Sequence, residues 1–456
     1  MKTTAQQIFR ETLAAIDVRG ALNRHLVRDG NNIYVNRFGY LGHPGRPGRA
    51  DWAEEPGASR EDLREYREIV AIAMGKASLS MAEALSEILA QKYSVDGILV
   101  APVAPSRTLS GWKAFAGGHP VPDAQSFAAG RAILERLAAC DERSLIFFLL
   151  SGGGSSLVES PLDPAATLAD FQQLNAALVQ CGAPIEEINI VRKHVSAAKG
   201  GRMAAAAPRS LKLTFAISDV PVGREAALAS GPTLPDPSTL ADVERVIREN
   251  SLREKLPRSI REGFERGSFP ETPKGGDPAF ARSHFSLILG SHDLTHSAHH
   301  ACEARGYSCV CDTQTDNQAV ASAADYLLGL LEQQKSVCGG KRVAVIAGGE
   351  VSSPVTGDGV GGRNLAFVLA CVPKIAGKRI SVLSVGTDGI DGNSPAAGAV
   401  ADGESLARAR AAGLDPADFA RRSDAYHFFA RLGDAIVTGP TGNNLRDLRI
   451  LLAEPD

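Results

Sequence analysis

The chain has 456 residues, of which 44% are hydrophobic and 22% charged, a composition typical of a globular protein. Its 49 basic and 52 acidic residues give a formal net charge of −3, so no excess of positive charge indicates a nucleic-acid or membrane partner. No apolar run approaches the ~20 residues of a membrane helix, and the first residues, MKTTAQQIFRETL, lack an apolar signal core. Together with seven cysteines and no Cys-x-x-Cys pair, these features predict a cytoplasmic protein.

Short apolar runs recur along the first half of the chain, and they end in turns that carry Gly, Asp or Pro. In several cases a helical pattern follows the turn, as it does after Gly75-Lys76. Strands that alternate with helices predict parallel sheets, and nearly continuous apolar runs predict burial on both faces. The predicted strands of this half are Ile69–Met74, Gly97–Val100, Leu145–Leu150 and Leu211–Ile217.

Residues 267–284 are rich in Pro, Gly and charge, and they predict an interdomain linker. We therefore expect two domains, over residues 1–275 and 276–456. Because ligands bind at the carboxyl ends of strands in open α/β sheets, we expect the active site in the cleft between the domains. The alternation restarts after the linker, with predicted strands at Phe285–Leu289, Arg342–Ile346, Ile380–Val385 and Ala435–Val437.

A run of small residues follows the strand Leu145–Leu150 directly, in the stretch IFFLLSGGGSSL. Glycine lets backbone amides approach a ligand closely, and a helix that begins after the loop would turn its positive end outward. This chemistry suits a phosphate, although the loop is neither a P-loop nor a Rossmann fingerprint. A tight turn that needs small residues is the alternative. The loop residues are Ser151, Gly152, Gly153, Gly154, Ser155 and Ser156.

Lys76 opens the predicted helix that follows the strand Ile69–Met74. A cation at the start of a helix opposes the helix dipole, so an anionic ligand such as a phosphate or carboxylate would compensate for it. A solvated surface lysine is the alternative interpretation.

A second glycine-rich segment, TGDGVGGRN, matches the pattern Gly-x-Gly-x-x-Gly at Gly357, Gly359 and Gly362. The pattern suggests a dinucleotide site, but about ten loop residues separate it from the preceding strand, where the fingerprint requires none. We prefer the interpretation that this loop delivers Arg363, whose guanidinium could grip a carboxylate or phosphate with two bonds. A flexible glycine loop is the alternative.

Acidic side chains also lie at strand ends, where they suit a nucleotide-bound Mg²⁺ or a general base. Turn chemistry is the alternative for each of them, because Asp is common beside Gly. The residues are Asp219, Glu350, Asp388 and Asp391.

Several histidines invite a functional interpretation. His292, His296 and His299 would share one helix face, but no acidic or cysteine ligand completes a metal site, so a surface face is preferred. His119, in GGHPVPD, and His194 could contact a ligand or fix a turn.

Taken in order, the motifs of this chain resemble those of the type II glycerate kinases, glycerate 2-kinases whose C-terminal part is called the MOFRL domain. The resemblance covers most of the chain. The motifs are MGKAS (74–78), GGHPVPDAQS (117–126), LSGGGSSL (150–157), NIVRKHVSAAKGG (189–201), SDVP (218–221), ASGPTLPDPST (229–239), AGGE (347–350), VTGDGVGGRN (355–364), GTDGIDG (386–392) and TGPTGNN (438–444).

The resemblance implies a kinase that uses ATP and Mg²⁺ to phosphorylate the 2-hydroxyl of D-glycerate, a small-molecule substrate, and yields 2-phosphoglycerate. It implies a larger, Rossmann-like, doubly wound N-terminal domain that binds nucleotide phosphates and a smaller α/β C-terminal domain. The family's important lysine and arginine map onto Lys76 and Arg363. A homodimer is an oligomeric state that such enzymes commonly adopt.

We combine the resemblance with the residue chemistry into one set of expected roles. Lys76 would neutralise the transferring γ-phosphoryl group, and Arg363 would hold the glycerate carboxylate or brace the phosphoryl group. Asp219 and Asp388 are unranked candidates for binding Mg²⁺ or for accepting the 2-hydroxyl proton. The expected nucleotide contacts are Ser151, Gly152, Gly153, Gly154, Ser155, Ser156, Lys193, His194 and Glu350.

The chain departs from the family pattern after SDVP, after GTDGIDG and in the last loop. Because two of these changes remove carboxylates, a related hydroxy acid is an alternative acceptor. An NAD(P)H-dependent hydroxypyruvate reductase that uses residues 357–362 is the alternative activity. A non-catalytic nucleotide or sugar-acid sensor is a third alternative, against which the intact Lys76 and Arg363 argue.

Overall fold

The three-dimensional structure is a computed structural model that describes residues 1–36, 58–89, 92–105, 107–218, 220, 225–442 and 444–455. Contacts divide the chain into an N-terminal unit, Val18–Ile288, and a C-terminal unit, Met1–Asp17 with Leu289–Asp456. The first helix therefore groups with the C-terminal residues, which the sequence-based division at 275 and 276 did not anticipate. Within the described residues, no helix is long and apolar enough to cross a membrane.

Every strand predicted from the apolar runs forms, with ends displaced by about two residues at most. The expected α/β fold class is thereby confirmed. The elements of the N-terminal unit are α2 (Val18–His25), β1 (Leu26–Asp29), β2 (Asn32–Asn36), β3 (Ala58–Asp62), β4 (Glu68–Met74), α3 (Ser78–Leu89), β5 (Asp96–Ala101), β6 (Trp112–Ala116), α4 (Ala124–Ala138), β7 (Ser144–Leu150), α5 (Gly154–Leu157), α6 (Leu168–Gln180), α7 (Ile185–Val195), α8 (Arg202–Ala205), β8 (Leu211–Ile217), α9 (Leu240–Glu249), α10 (Arg258–Glu265) and β9 (Ser283–Leu289). Those of the C-terminal unit are α1 (Lys2–Ala15), α11 (Ser291–Glu303), β10 (Ser308–Asp312), α12 (Val320–Cys338), β11 (Val343–Ala347), α13 (Arg363–Cys371), β12 (Ile380–Gly386), β13 (Gly398–Asp402), α14 (Ser405–Ala411), α15 (Pro416–Arg421), α16 (Ala425–Leu432), β14 (Ala435–Ile436) and β15 (Asp447–Ala453).

The main sheet of the N-terminal unit has the order β6-β5-β4-β7-β8-β9, and the pairs from β6 to β8 are parallel. Chain order runs outward in both directions from the neighbours β4 and β7, which is the pattern of a doubly wound sheet. Both strands are buried along nearly their whole length. A separate antiparallel sheet is formed by β1, β2 and β3.

The sheet of the C-terminal unit has the order β10-β11-β15-β12-β13-β14. β15 lies antiparallel to both β11 and β12, so those two strands are parallel to each other and end at the same edge. The start of β15 lies at that edge too, because Asp447 is in register with Gly386, the last residue of β12. The core around this sheet is formed by apolar residues that include Leu327, Phe367, Val382, Phe428 and Leu451.

The interdomain linker predicted at residues 267–284 does not form as a linker. Its first part is hydrogen-bonded into the N-terminal unit, where the Asp236 amide donates to the Pro273 carbonyl at 3.0 Å and Arg202 donates to the Pro270 carbonyl at 2.8 Å. Its last residues belong to β9. Pro and Gly prevented regular structure in the first part, but they did not prevent packing.

Lys199 and Glu159 form a buried ion pair within the N-terminal unit. The Nζ atom of Lys199 lies 2.6 Å from Oε2 of Glu159, and both side chains are almost fully buried. The Lys199 Nζ also donates to the Val158 carbonyl at 3.1 Å, and the Ser160 amide donates to Glu159 Oε1 at 2.9 Å. Both charges are therefore paired and hydrogen-bonded, as burial requires.

Replacing Lys199 with Met should lower the free energy of unfolding by about 3–5 kcal/mol, because the Glu159 carboxylate would stay buried without its counter-charge. Urea unfolding followed by circular dichroism measures the change. Arg253→Met is the control, since Arg253 pairs with Glu265 on the surface at 3.5 Å, and it should cost less than about 1 kcal/mol. Equal losses in the two variants would contradict this account of the buried pair.

Candidate active site

The turns that follow β4 and β7 are bonded to each other at the switch point of the N-terminal sheet. The Ser151 amide donates to the Met74 carbonyl at 3.0 Å, and the Lys76 amide donates to the Gly152 carbonyl at 2.9 Å. Doubly wound sheets bind ligands at this position, where strand order reverses. Parallel pairing of β4 with β7 thus places Lys76 beside the glycine loop. Lys76 lies in the turn before α3 rather than at the first residue of that helix.

Gly153 has a conformation and an environment that few other residues tolerate. Its φ is +87°, in the left-handed region, and a Cβ atom there would lie 3.1 Å from Nε2 of His119 and 3.7 Å from Cγ of Lys76. The two side chains therefore border the loop at Gly153. The sequence left the role of His119 open, and the structure places its side chain beside the glycine loop together with Lys76.

The His119 imidazole has a lowered pKa, first because the side chain is half-buried and second because the charge of Lys76 lies nearby. Both effects disfavour the protonated ring. The neutral ring is therefore favoured, and it can donate or accept a hydrogen bond beside the glycine loop.

The serines of the loop hold its shape. Ser151 is buried, and its Oγ accepts a hydrogen bond from the Ala77 amide at 3.0 Å. Ser155 Oγ lies 3.0 Å from Ser230 Oγ, which donates to Oδ1 of Asn189 at 3.0 Å. The expected helix does begin after the loop, but α5 is only one turn long. The loop is thus built into the surrounding structure through its side chains.

Lys193 and His194 lie at the end of α7, where both are buried. Lys193 Nζ pairs with Oδ1 of Asp236 at 3.2 Å, and His194 Nδ1 lies 2.9 Å from the Ile190 carbonyl oxygen. These contacts stay within the N-terminal unit and stabilise the end of the helix. Nucleotide contact by either residue remains a prediction, as does every role of Asp219, which lies outside the described residues.

In the C-terminal unit, Arg363 is the first residue of α13 and is held by two carboxylates. Its Nε and Nη2 atoms donate to Asp447 at 2.6 and 3.1 Å, and Nη2 lies 2.8 Å from Oε1 of Glu350. Glu350 follows β11 and Asp447 begins β15, so the sheet order brings the three together. The bidentate geometry fixes the plane of the guanidinium group.

Asp447, which makes the bidentate contact with Arg363, was missed by the sequence analysis. Its side chain is buried, and it lies one residue after Arg446, which pairs with Asp316 at 2.6 Å. The signal in the sequence is an acidic residue at the start of an apolar run, DLRILLA, but nothing local connects it with Arg363. The contact depends on β15 lying between β11 and β12.

Two further arginines and Asp316 extend this group of charges. Arg449 is fully buried in β15 and donates to the carbonyls of Gly348 and Gly349 at 2.7 and 2.8 Å. Burial raises the pKa of Glu350, and the Arg363 guanidinium opposes that rise. Burial also lowers the pKa of Arg363, but Asp447 and Glu350 outweigh it and raise the value overall. The cluster joins three guanidinium groups to three carboxylates, namely Arg363, Arg446, Arg449, Asp316, Glu350 and Asp447.

Asp391 is a buried helix cap for α13. Its carboxylate accepts hydrogen bonds from the amides of Asn364 at 3.1 Å and Leu365 at 2.8 Å. Both amides lie in the first turn of α13, directly after Arg363. Burial raises the pKa of Asp391 to about 6, although the two amide bonds act in the opposite direction. Asp388, in the same loop, accepts from the Ile390 amide at 3.2 Å. Asp391 therefore positions α13, whereas Asp388 lies nearer to solvent.

The glycines of the second loop serve packing within the C-terminal unit. A Cβ atom on Gly359 would lie 2.5 Å from both the carbonyl oxygen of Arg422 and the Cβ of Asp424, and one on Gly357 would lie 2.6 Å from the Arg422 oxygen. β11 ends at Ala347 and α13 begins at Arg363, so no strand leads directly into the glycine turn. The loop with Gly357 and Gly359 thus packs on the segment with Arg422 and Asp424. The strand–turn–helix arrangement of a dinucleotide fingerprint does not form at these glycines.

The histidine face forms on α11, where Nε2 of His296 lies 2.9 Å from Nε2 of His300. In the part of the chain that the structure describes, no group of three or more His, Cys, Asp or Glu residues could hold a metal ion. His292 and His300 are exposed and His296 and His299 are partly exposed, so this helix face lies at the surface, as the preferred interpretation expects.

Comparison with known proteins gives two family matches and several relatives. Residues 4–265 match DUF4147, a domain of unknown function, and residues 343–447 match the MOFRL family. A D-glycerate 2-kinase of Thermotoga maritima is 34% identical, over 84% of this chain and 90% of that protein. A protein of Agrobacterium vitis named "Putative hydroxypyruvate reductase" is 35% identical, over 84% of this chain and 86% of its own. A crystal structure of the glycerate kinase of Thermotoga maritima matches with a TM-score of 0.82 and 29% identity, over 99% of both chains.

Replacing Gly359 with Ala should lower the free energy of unfolding by about 1–3 kcal/mol, because the added methyl group meets backbone and Asp424. Thermal unfolding with and without NADH measures the effect. Gly329→Ala is the control, since Gly329 lies in α12 with open space around its Cβ position, and it should stabilise the protein by about 0.5–1 kcal/mol. A stable Gly359→Ala variant that loses NADH binding would instead support a dinucleotide site.

Proposed function

Because the chain belongs to the family of the glycerate 2-kinases, with a DUF4147 segment followed by a MOFRL segment, we propose that it transfers the γ-phosphoryl group of ATP to the 2-hydroxyl of D-glycerate. The product is 2-phosphoglycerate. The observation that carries the proposal is the meeting of Lys76 with the amide-rich glycine loop at the switch point of a doubly wound sheet. Phosphoryl transfer depends chiefly on positioning and on neutralisation of charge, and this arrangement offers both.

We assign the phosphates of the nucleotide to the loop from Ser151 to Ser156. His119 approaches Gly153 closely, and because glycine has no side chain, a ligand at this position would contact the backbone. Backbone amides bind phosphate oxygens without a charged side chain. The Lys76 ammonium then balances negative charge on the transferring γ-phosphoryl group. His119, beside the same glycine, supplies a further hydrogen bond.

Arg363 is assigned to the carboxylate of D-glycerate or to the phosphoryl group. Asp447 and Glu350 occupy its Nε and Nη2 atoms, so the ligand would bind at the Nη1 edge of a guanidinium whose plane is already fixed. A preorganised donor loses little conformational entropy when the ligand binds. Asp447 is thereby a positioning residue, and it acts on the ligand only through Arg363.

The residues of this chain fit a Mg²⁺ ion that binds together with the nucleotide, chiefly through its phosphates. The described residues provide no cluster of three metal ligands, and Mg²⁺ in kinases is commonly bound through substrate phosphates and one or two carboxylates. When bound, the ion would neutralise phosphate charge, which matters because Asp447 and Glu350 already offset the charge of Arg363. Asp388 is the described carboxylate that would hold it or accept the 2-hydroxyl proton, and Asp219 is the other candidate. A cytoplasmic location and a homodimer stay predictions.

The alternative activity, hydride transfer from NAD(P)H to hydroxypyruvate, rested on residues 357–362. Gly357 and Gly359 pack against Arg422 and Asp424, and Gly362 packs against Asp391, so these contacts remove the basis for a cofactor site there. Kinase activity is therefore the one that we propose.

The purified protein should form 2-phosphoglycerate from ATP, Mg²⁺ and D-glycerate, and coupling to enolase reads the position of the phosphate, because 3-phosphoglycerate is not an enolase substrate. A parallel reaction with NADH and hydroxypyruvate should leave the absorbance of NADH unchanged. Formation of phosphate or 3-phosphoglycerate without enolase turnover would refute the proposed acceptor position. Oxidation of NADH would refute the proposed reaction class.

Lys76→Met and Arg363→Lys should each lower kcat/KM by about 10²–10³, because each removes a charged or bidentate contact in the transition state. Lysine is chosen at 363 so that Asp447 keeps a counter-charge. Lys113→Met, at an exposed position of β6, is the control and should retain full activity. Turnover within about threefold of the parent in either variant would exclude the role assigned to that residue.

A further inference from the structure

Three cysteine thiols lie together in the C-terminal unit, where β10 packs against α11. Cys309 and Cys311 are two residues apart on β10, so their side chains point to the same face of the strand. Cys302 lies near the end of α11 and is fully buried. All three thiols are free, and the proposed phosphoryl transfer uses none of them.

Both cysteines of the strand contact the same part of α11. The Sγ atom of Cys309 lies 3.8 Å from the carbonyl oxygen of His299, and the Sγ atom of Cys311 lies 3.4 Å from Nδ1 of His299. Cys302 follows His299 by three residues, so it lies about one turn further along the helix. Its thiol is hydrogen-bonded to that of Cys309. Two thiols from different elements are therefore in direct contact.

This contact makes the two thiols chemically unequal. The hydrogen bond from Cys302 lowers the pKa of Cys309, although burial acts in the opposite direction. The same hydrogen bond raises the pKa of Cys302, and burial raises it further. Cys309 is partly exposed, whereas Cys302 is not. An accessible thiol that ionises readily, with a protonated thiol behind it, is the arrangement of a reactive cysteine and its resolving partner.

Cys311 is more exposed than Cys309 but is less suited to react. Its pKa is raised to about 11, first because neighbouring groups desolvate the thiol and second because charge on Cys309 and Glu303 opposes a second negative charge. The thiolate is the form that attacks an oxidant, so a raised pKa protects a thiol from oxidation. Cys309 is therefore the better nucleophile of the two.

We propose that Cys309 and Cys302 form an oxidative modification site, at which hydrogen peroxide converts the two thiols into an intramolecular disulfide. The Cys309 thiolate attacks one peroxide oxygen, the O–O bond breaks, and the departing hydroxide takes up a proton and leaves as water. The Cys302 thiol then attacks the sulfur of the resulting sulfenic acid, and a second water leaves with the hydroxyl group and the thiol proton. Peroxide gains two electrons and the thiols lose two. A dithiol reductant reverses the modification.

Peptide mapping of the oxidised protein by mass spectrometry tests the proposal. Trypsin cleaves after Arg305, which lies between the two cysteines, so the disulfide should join peptide 283–305 to peptide 306–335 when no reductant is present. Brief treatment with hydrogen peroxide should produce this linked pair with the loss of two hydrogen atoms, and dithiothreitol should separate it. The link should form at least about tenfold faster than any oxidation of Cys371. That thiol is fully buried, and burial raises its pKa to about 12.

Single substitutions assign the sulfur atoms, because peptide 306–335 contains two cysteines. Cys309→Ser should abolish the link, and Cys311→Ser, two residues along the same strand, is the matched control and should retain it. In Cys302→Ala, Cys309 should instead gain two oxygen atoms as a sulfinic acid, since its resolving thiol is gone. If that buried substitution prevents folding, the parent and the two serine variants still decide the matter.

A link that survives in Cys309→Ser would overturn the assignment. So would a parent protein in which peroxide oxidises other thiols first and joins no peptides. The measurement uses neither ATP nor D-glycerate, so its result does not depend on the proposed kinase function.

Discussion

The parallel pairing of β4 with β7 is the constraint on which the candidate site depends. It aligns Met74 with Leu150, so the two strands end side by side and the turns that follow them must meet. Two backbone hydrogen bonds then join the turns, one from Ser151 to Met74 and one from Lys76 to Gly152. Lys76 and the loop of small residues from Ser151 to Ser156, about 75 to 80 positions apart in the chain, become neighbours through backbone pairing.

The C-terminal unit reaches a comparable result by a different topology. β15 runs antiparallel between β11 and β12, so its first residue lies at the edge where the other two strands end. Asp447 consequently faces Arg363 at the start of α13, and the Asp391 carboxylate holds that helix in place through two amides. The guanidinium is thus fixed from two directions, by an ion pair and by the cap of its own helix. Such double support is what a preorganised binding group requires.

Buried charge is compensated locally in both units. Lys199 is paired with Glu159, Lys193 with Asp236, Arg363 with Asp447 and Glu350, and Arg446 with Asp316. This compensation keeps the desolvation cost of each charge tolerable. It also means that an anion which approaches Arg363 meets a guanidinium whose charge Asp447 and Glu350 already offset.

The sequence by itself determined the strands, the glycine loop after Leu150 and the family resemblance, because apolar period and turn chemistry are local properties. It also singled out Arg363 after the second glycine loop, and the ligand-binding role of that residue stays a prediction. The tertiary structure decided what is non-local. Only the order of the strands selects Asp447 as the partner of Arg363, places His119 at Gly153, and seats Gly357 and Gly359 on Arg422. Residues 267–277 show the same division, since composition predicted an irregular segment while long-range hydrogen bonds decided that it packs.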